Sequence, residues 1–291
     1  MPRAAPKLDA LRDVLEDLRR RYDSRFLDTD PVGIVRRFDD PEDREIVALL
    51  AAGLAYGRVA SISASLEDVL RRLDGTPARF VATFDAARDA ARFDGFVHRF
   101  TRGRDIALIL HLVRRAKERA GSLESFFLDG EADPGAPTLG ATLDAFGARL
   151  FALDARPFTS DGSVPRGDGA RWLLPIPSGG SACKRSCLFL RWMVRPDDGI
   201  DCGLWSRVSP ARLVLPLDTH LLRVARALGW TRRRSAGWPM ALEVTSHLRR
   251  LDPADPTRFD FALCRLGILG LLEAPGGKLT ARGLRLALGV R

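Results

Sequence analysis

Lysine is used sparingly in this chain: of 46 basic residues only four are Lys (Lys7, Lys117, Lys184, Lys278) and 42 are Arg. A guanidinium keeps its proton in a protein and so supplies charge without nucleophilicity, whereas an amine becomes a nucleophile once its proton is lost. A lysine retained in an arginine-dominated sequence is therefore a candidate for amine chemistry. Lys7 stands near the start, Lys117 in the charged helical run RRAKER and Lys278 in a glycine-rich turn. Lys184 alone lies in a tightly patterned segment, Pro175-Ile176-Pro177-Ser178-Gly179-Gly180-Ser181-Ala182-Cys183-Lys184-Arg185, which continues as SCLFLRWMVR. A carboxylate of comparable interest, Asp218, follows 34 residues later in Leu215-Pro216-Leu217-Asp218-Thr219-His220-Leu221-Leu222-Arg223. The chemistry open to Lys184 is that of an amine nucleophile.

The elements that would position these groups are a turn opening into a helix and a capped helix. Ser178 or Ser181 can cap the first helix, and Gly179 and Gly180 leave room for a phosphate backbone to approach free N–H groups at the positive end of its dipole. Cys183, Cys187, Leu190 and Val194 recur at core-stripe spacing, which places Lys184, Arg191 and Arg195 on an adjacent, cationic face. Asp218 is placed to cap the second helix because Pro216 ends the preceding run, and capping alone would account for it.

Apolar residues recur at helical spacing along most of the chain, which predicts an all-α fold of about ten helices. Segments 129–138 and 157–169 are rich in Gly, Pro and Asp and read as surface loops. At 291 residues the chain fits one helical unit (1–291) of two lobes, approximately 40–130 and approximately 170–291. The absence of a long apolar run or an h-region argues against a membrane. Four cysteines at irregular spacing fit reduced thiols better than a disulfide scaffold. A cytoplasmic, nucleoid-associated place is expected. The net charge of +9 and pI near 10.2 favour a polyanionic partner. Gly276-Gly277-Lys278-Leu279-Thr280 lacks the spacing of a phosphate loop, and the cysteines lack zinc spacing, so no metal is expected. Asp197, Asp198 and Asp201 read as a solvated turn that could also hold a cation.

The pairing of a turn-helix lysine with P-L-D-T-H resembles the helix-hairpin-helix DNA glycosylase superfamily that includes endonuclease III and 8-oxoguanine glycosylase. Within it the chain is similar to an uncharacterised bacterial family marked by S-A-C-K-R (181–185), F-L-R-W-M-V-R (189–195), G-L-W (203–205) and P-L-D-T-H (216–220). The resemblance implies a two-lobed helical fold and base excision from damaged double-stranded DNA. Lys184 would be the catalytic lysine and Asp218 the catalytic aspartate. DNA contacts are expected from Ser178, Gly179, Gly180, Ser181, Arg185, Arg191 and His220, and from Tyr56 and Arg58 in a loop placed to fill the gap left by an extruded base. Cys187, Trp172, Trp192 and Trp205 are candidates for the base pocket, beside a core-packing role for each tryptophan.

The hairpin departs from the family's L-P-G-V-G, reading Ile176-Pro177-Ser178-Gly179-Gly180, and still offers a place for a monovalent cation. The 34-residue interval is similar to that of the archaeal 8-oxoguanine branch and suggests an oxidised purine. Only Cys264 follows Asp218, so no iron–sulfur cluster and no other cofactor is expected, nor is an obligate protein partner. The competing expectation is a non-catalytic DNA- or RNA-structure binder of the same fold.

Overall fold

A computed structural model describes residues 8–268. Lys7, Lys278, the turn at 276–280 and the end of the lobe expected over 170–291 lie outside the described residues. The chain is predominantly α-helical. Its first half carries α1 (Leu8–Arg21), α2 (Val32–Val35), α3 (Pro41–Gly53), α4 (Val59–Arg72), α5 (Pro77–Ala82), α6 (Ala86–Asp89) and α7 (Gly103–Ala120). Its second half carries α8 (Leu123–Leu128), α9 (Gly140–Leu150), α10 (Ala170–Leu173), α11 (Lys184–Val194), α12 (Thr219–Ala227), α13 (Trp238–Leu251) and α14 (Asp260–Ile268). Segments 129–138 and 157–169 hold no helix or strand. The excess over ten helices comes from single-turn pieces of four to six residues, too short to show a helical period in sequence. One antiparallel pair, β1 (Val97–His98) and β2 (Thr101–Arg102), interrupts the helices. Among the described residues no helix is long and apolar enough to cross a membrane.

Two helices form the centre. α3 starts where Asp40 accepts the N–H groups of Glu42 and Asp43 with Pro41 in the first turn, and every residue from Glu45 to Gly53 is buried. α11 is buried from Ser186 to Val194 and packs on α3. A helix apolar all round belongs inside a large domain rather than on its surface. The C-terminal end of α3 meets the N-terminal end of α11, and this junction sets the site.

The interior of α11 overturns one expectation. Cys183, Cys187, Leu190 and Val194 are buried as their spacing implies. Arg191 and Arg195, however, do not form a cationic surface with Lys184. Arg191 is 3% exposed and bound to Asp201 (Nε to Oδ1, 3.0 Å) and to Asp260, so it is not available to a backbone phosphate. Arg195 is buried against Asp201, Asp198 and Asp255. The acidic turn keeps Asp197 and Asp198 at the surface, yet its carboxylates are engaged: Asp197 pairs with Arg36 at 2.9 Å, and Asp198 and the fully buried Asp201 neutralise the arginines of α11. Removing one member of a buried ion network strands its partners in low dielectric, at a cost of about 3–5 kcal/mol. Arg191→Met should accordingly lower the unfolding free energy by about that amount in a denaturant titration. Unchanged stability with weakened DNA binding would return Arg191 to the surface role first expected of it.

Candidate active-site cleft

Lys184 opens α11, and its Nζ donates to the Ala55 carbonyl at 3.1 Å, just after α3 ends. Asp218 is the N-cap of α12, with Oδ1 accepting the Leu221 N–H at 2.8 Å. Both side chains line a cleft of about 540 Å³ whose walls include Ala55, Tyr56 and Gly57 after α3, Pro216–Leu222 around the start of α12, and Asp260, Phe261 and Cys264 of α14. The cap therefore explains part of Asp218 but not its second oxygen. Oδ2 receives the Cys264 thiol at 3.6 Å, and burial pushes that thiol well above its ordinary pKa, which keeps it a donor.

Asp260 is a second carboxylate in the wall. Burial raises its pKa to about 6, with the nearby Asp218 acting in the same direction and Arg191 opposing both. Asp30 adds a third, capping Val32 through Oδ1 at 3.1 Å and taking Arg265 at 3.3 Å through Oδ2. His220 also lines the cleft, its Nδ1 buried with no hydrogen-bond partner among the described residues. Gly267 of α14 makes room for it, since a Cβ there would stand 2.5 Å from the His220 Cβ. No group of three or more His, Cys, Asp or Glu among the described residues could hold a metal ion.

The turn before α11 is held against α9. Gly147 of α9 admits Ile176, which a Cβ would meet at 2.4 Å, and Asp144 of α9 accepts the Ser178 N–H at 2.8 Å. Neither Ser178 nor Ser181 caps α11. Its N-cap is Cys183, in left-handed backbone at φ 52° and without a side-chain cap bond, while Ser181 Oγ accepts the Cys183 N–H at 3.2 Å. Competition from this short-range turn displaced the expected cap. Residues 178–181 are all exposed, and Gly180 adopts φ +78°, a backbone that favours glycine. The α11 dipole and its first N–H groups remain without a side-chain cap behind them.

Several expected site residues fall elsewhere. Trp192 is fully buried, and Trp205 is 2% exposed with Nε1 donating to Glu45 at 2.7 Å; both are core residues outside the cleft wall. Cys187 is likewise buried behind Lys184 and does not line the cleft. Trp172 is 57% exposed and outside the cleft wall. Arg185 lies over the Tyr56 ring at 5.1 Å, joining the turn-helix to the loop after α3, and Arg58 is exposed at the start of α4.

Sequence reasoning passed over Asp30, Asp260 and Cys264, which reach the cleft only by tertiary packing. It also passed over a run it could have flagged, Arg232-Arg233-Arg234, exposed between α12 and α13. Gly237, at the end of this loop, abuts the turn: a Cβ there would stand 2.9 Å from the Gly180 carbonyl oxygen. Arg226, exposed on α12 like Arg223, donates to the carbonyls of Arg233 and Arg234, so these arginines form a strip that ends at the contact between Gly237 and the turn.

The chain matches the family model described as a protein of unknown function, DUF2400, over residues 30–269. It belongs to the DUF2400 family. The match spans Lys184, Asp218, Asp260, Cys264 and every cleft residue named above. No curated protein and no solved structure gives a match to this DUF2400 chain.

Proposed function

We propose that this DUF2400 protein is a DNA base-excision glycosylase with abasic-site lyase activity, built on a two-lobed helix-hairpin-helix scaffold. The observation that carries this reading is that Lys184 and Asp218 line one cleft, beside an exposed turn and an arginine strip. A duplex lying on the strip would extrude the target nucleotide into the cleft, at a cost of a few kcal/mol. The neutral Lys184 amine attacks C1′ and the glycosidic bond breaks. Its electron pair leaves with the base, which takes up a proton, while the Asp218 carboxylate stabilises the positive charge gathering on the sugar. The attacking nitrogen passes a proton to Asp218 or water, and opening of the sugar ring gives the imine. Loss of a C2′ proton from the imine then expels the 3′ phosphate.

Oxidised purines such as 8-oxoguanine suit the wall best, because Asp30 and Asp260 place carboxylates there and oxidation at C8 adds an N–H donor to the ring. Damaged double-stranded DNA is the partner in this proposal, and the nucleoid the place of work. A second reading, a non-catalytic binder of nucleic-acid structure, draws support from the structural bonds that Lys184 and Asp218 already make, to Ala55 and Leu221. Borohydride treatment of wild-type protein with duplexes carrying abasic sites and different damaged bases separates the two. A covalent adduct supports the enzyme, and stable binding with no adduct on any duplex supports the binder.

Affinity should also respond to salt, with log K falling by about 0.9 per phosphate contact for each unit of log salt. Replacing Arg223, Arg232 and Arg234 together by Ala should flatten that slope by about 2–3, at equal protein stability. A slope that stays unchanged would move the DNA to another face.

A further inference from the structure

Among the described residues four large apolar side chains are exposed, and two of them, Phe100 (70%) and Trp172 (57%), meet outside the cleft, with a third, Val97 (53%), on the same β1–β2 pair as Phe100. Phe100 and Arg99 form the tip of the β1–β2 pair, between partners His98 and Thr101. The Phe100 and Trp172 ring centroids are 6.1 Å apart. A bare aromatic at a loop tip usually marks a mobile loop, but this tip is braced. The Tyr56 hydroxyl donates to the His98 carbonyl at 2.9 Å and lies 2.6 Å from Thr101 Oγ1. The buried His98 ring sits 2.8 Å from Ser65 Oγ and 3.0 Å from the Tyr56 carbonyl oxygen. Arg99 holds φ +52°, a backbone conformation that non-glycine residues adopt at a cost and that persists where the surroundings enforce it.

The brace is itself a wall of the cleft, since Tyr56 lines it. One residue, Tyr56, thus joins the two strands that carry the tip to the cleft in which an extruded nucleotide would sit. Its charge suits nucleic acid: Arg58, Arg99 and Arg102 are exposed, and none makes an ion pair among the described residues. Tyr56, by contrast, is fixed by its hydroxyl and covered by Arg185, so it cannot swing out to fill a gap in a duplex.

We infer that Phe100 is a wedge for double-stranded DNA: it inserts into the base stack beside the nucleotide extruded into the cleft, with Trp172 as a second stacking face and Arg99 and Arg58 on the flanking phosphates. The inference rests on the glycosylase reading and moves the gap-filling role from the 56–58 loop to the hairpin tip. An aromatic side chain inserted between base steps holds the unstacked form open, and base–aromatic stacking is sequence-tolerant because every base has a π-face.

The test compares initial borohydride-trapping rates on an abasic duplex and on the same abasic strand without its complement, where no stack has to be opened. In Phe100→Ala the ratio of duplex to single-strand rate should fall by about 10- to 100-fold, and Phe100→Trp should restore it to within about threefold. A 2-aminopurine placed next to the abasic site should change its fluorescence on binding wild-type protein and not on binding Phe100→Ala. An unchanged rate ratio with an unchanged 2-aminopurine signal would overturn the wedge while leaving the enzyme intact. A wild-type dimer that Phe100→Ala converts to monomer would overturn it too, by assigning the patch to a second copy of the chain. If wild-type protein is trapped on neither substrate, the enzymatic reading fails instead, and the 2-aminopurine signal alone decides whether Phe100 enters the stack.

Discussion

Incubated with abasic duplex and borohydride, wild-type protein is expected to become covalently joined to DNA through Lys184, and Lys184→Arg and Lys184→Gln are expected to form no adduct. Only a primary amine can give the imine that borohydride reduces to a stable secondary amine; a guanidinium keeps the charge and loses the chemistry. The geometry favours this amine, which is half-buried in the cleft wall and held at 3.1 Å by one carbonyl rather than by a carboxylate that would fix its charge. Lys117 is engaged instead by Glu42 at 3.0 Å and Glu45 at 3.6 Å. Duplex affinity of both variants should stay within about tenfold, or 1.4 kcal/mol, because at most one phosphate-scale contact changes. Losing the bond to Ala55 should cost about 1 kcal/mol of stability, which a thermal melt separates from a catalytic loss. An adduct that persists in Lys184→Gln, or that maps to another lysine by peptide mass, would remove Lys184 from the mechanism.

The sequence made the helices and their apolar faces readable, because a 3.6-residue period survives wherever a helix has one covered side. It also made Asp218 readable as a cap, since capping is decided within three residues. Whether the other face of a helix is wet is not local information. Arg191 and Arg195 sit at the right spacing for a cationic stripe, but the 197–201 turn and α14 cover them, and Asp260 lies 69 residues from Arg191. The same reason hides Asp30 and Cys264, whose place in the cleft depends on how α2 and α14 pack. Tryptophan content could suggest stacking platforms, yet Trp192 and Trp205 went to the core and only Trp172 stayed outside. The β1–β2 pair escaped notice because two residues per strand cannot display an alternation. Lys184 and Asp218 were both picked out from the chain, the one by arginine bias and the other by its motif. That they share one cleft is a tertiary fact.

Asp218→Asn is expected to lower base excision by at least about 100-fold with DNA binding retained, a loss typical of removing a major electrostatic stabiliser. The substitution is unusually clean in this structure because the two carboxyl oxygens have separate partners. Oδ1 caps the Leu221 N–H, and an asparagine oxygen in that place caps as well as aspartate does. The amide nitrogen then falls at the Oδ2 position, where it cannot accept the Cys264 thiol and carries no negative charge toward the sugar. Removing a carboxylate from a cleft proposed to receive a nucleotide should if anything tighten the DNA. Asp218→Ala removes cap and charge together and should cost about 0.5–2 kcal/mol of stability besides the catalytic loss. The pair thus splits the two roles of one side chain: equal activity loss in Asn and Ala with instability in Ala alone assigns the chemistry to the charge. If excision survives in Asn and is lost in Ala only in step with unfolding, Asp218 is a helix cap and the positive charge on the sugar is met elsewhere, with Asp260 the next carboxylate in the wall to test.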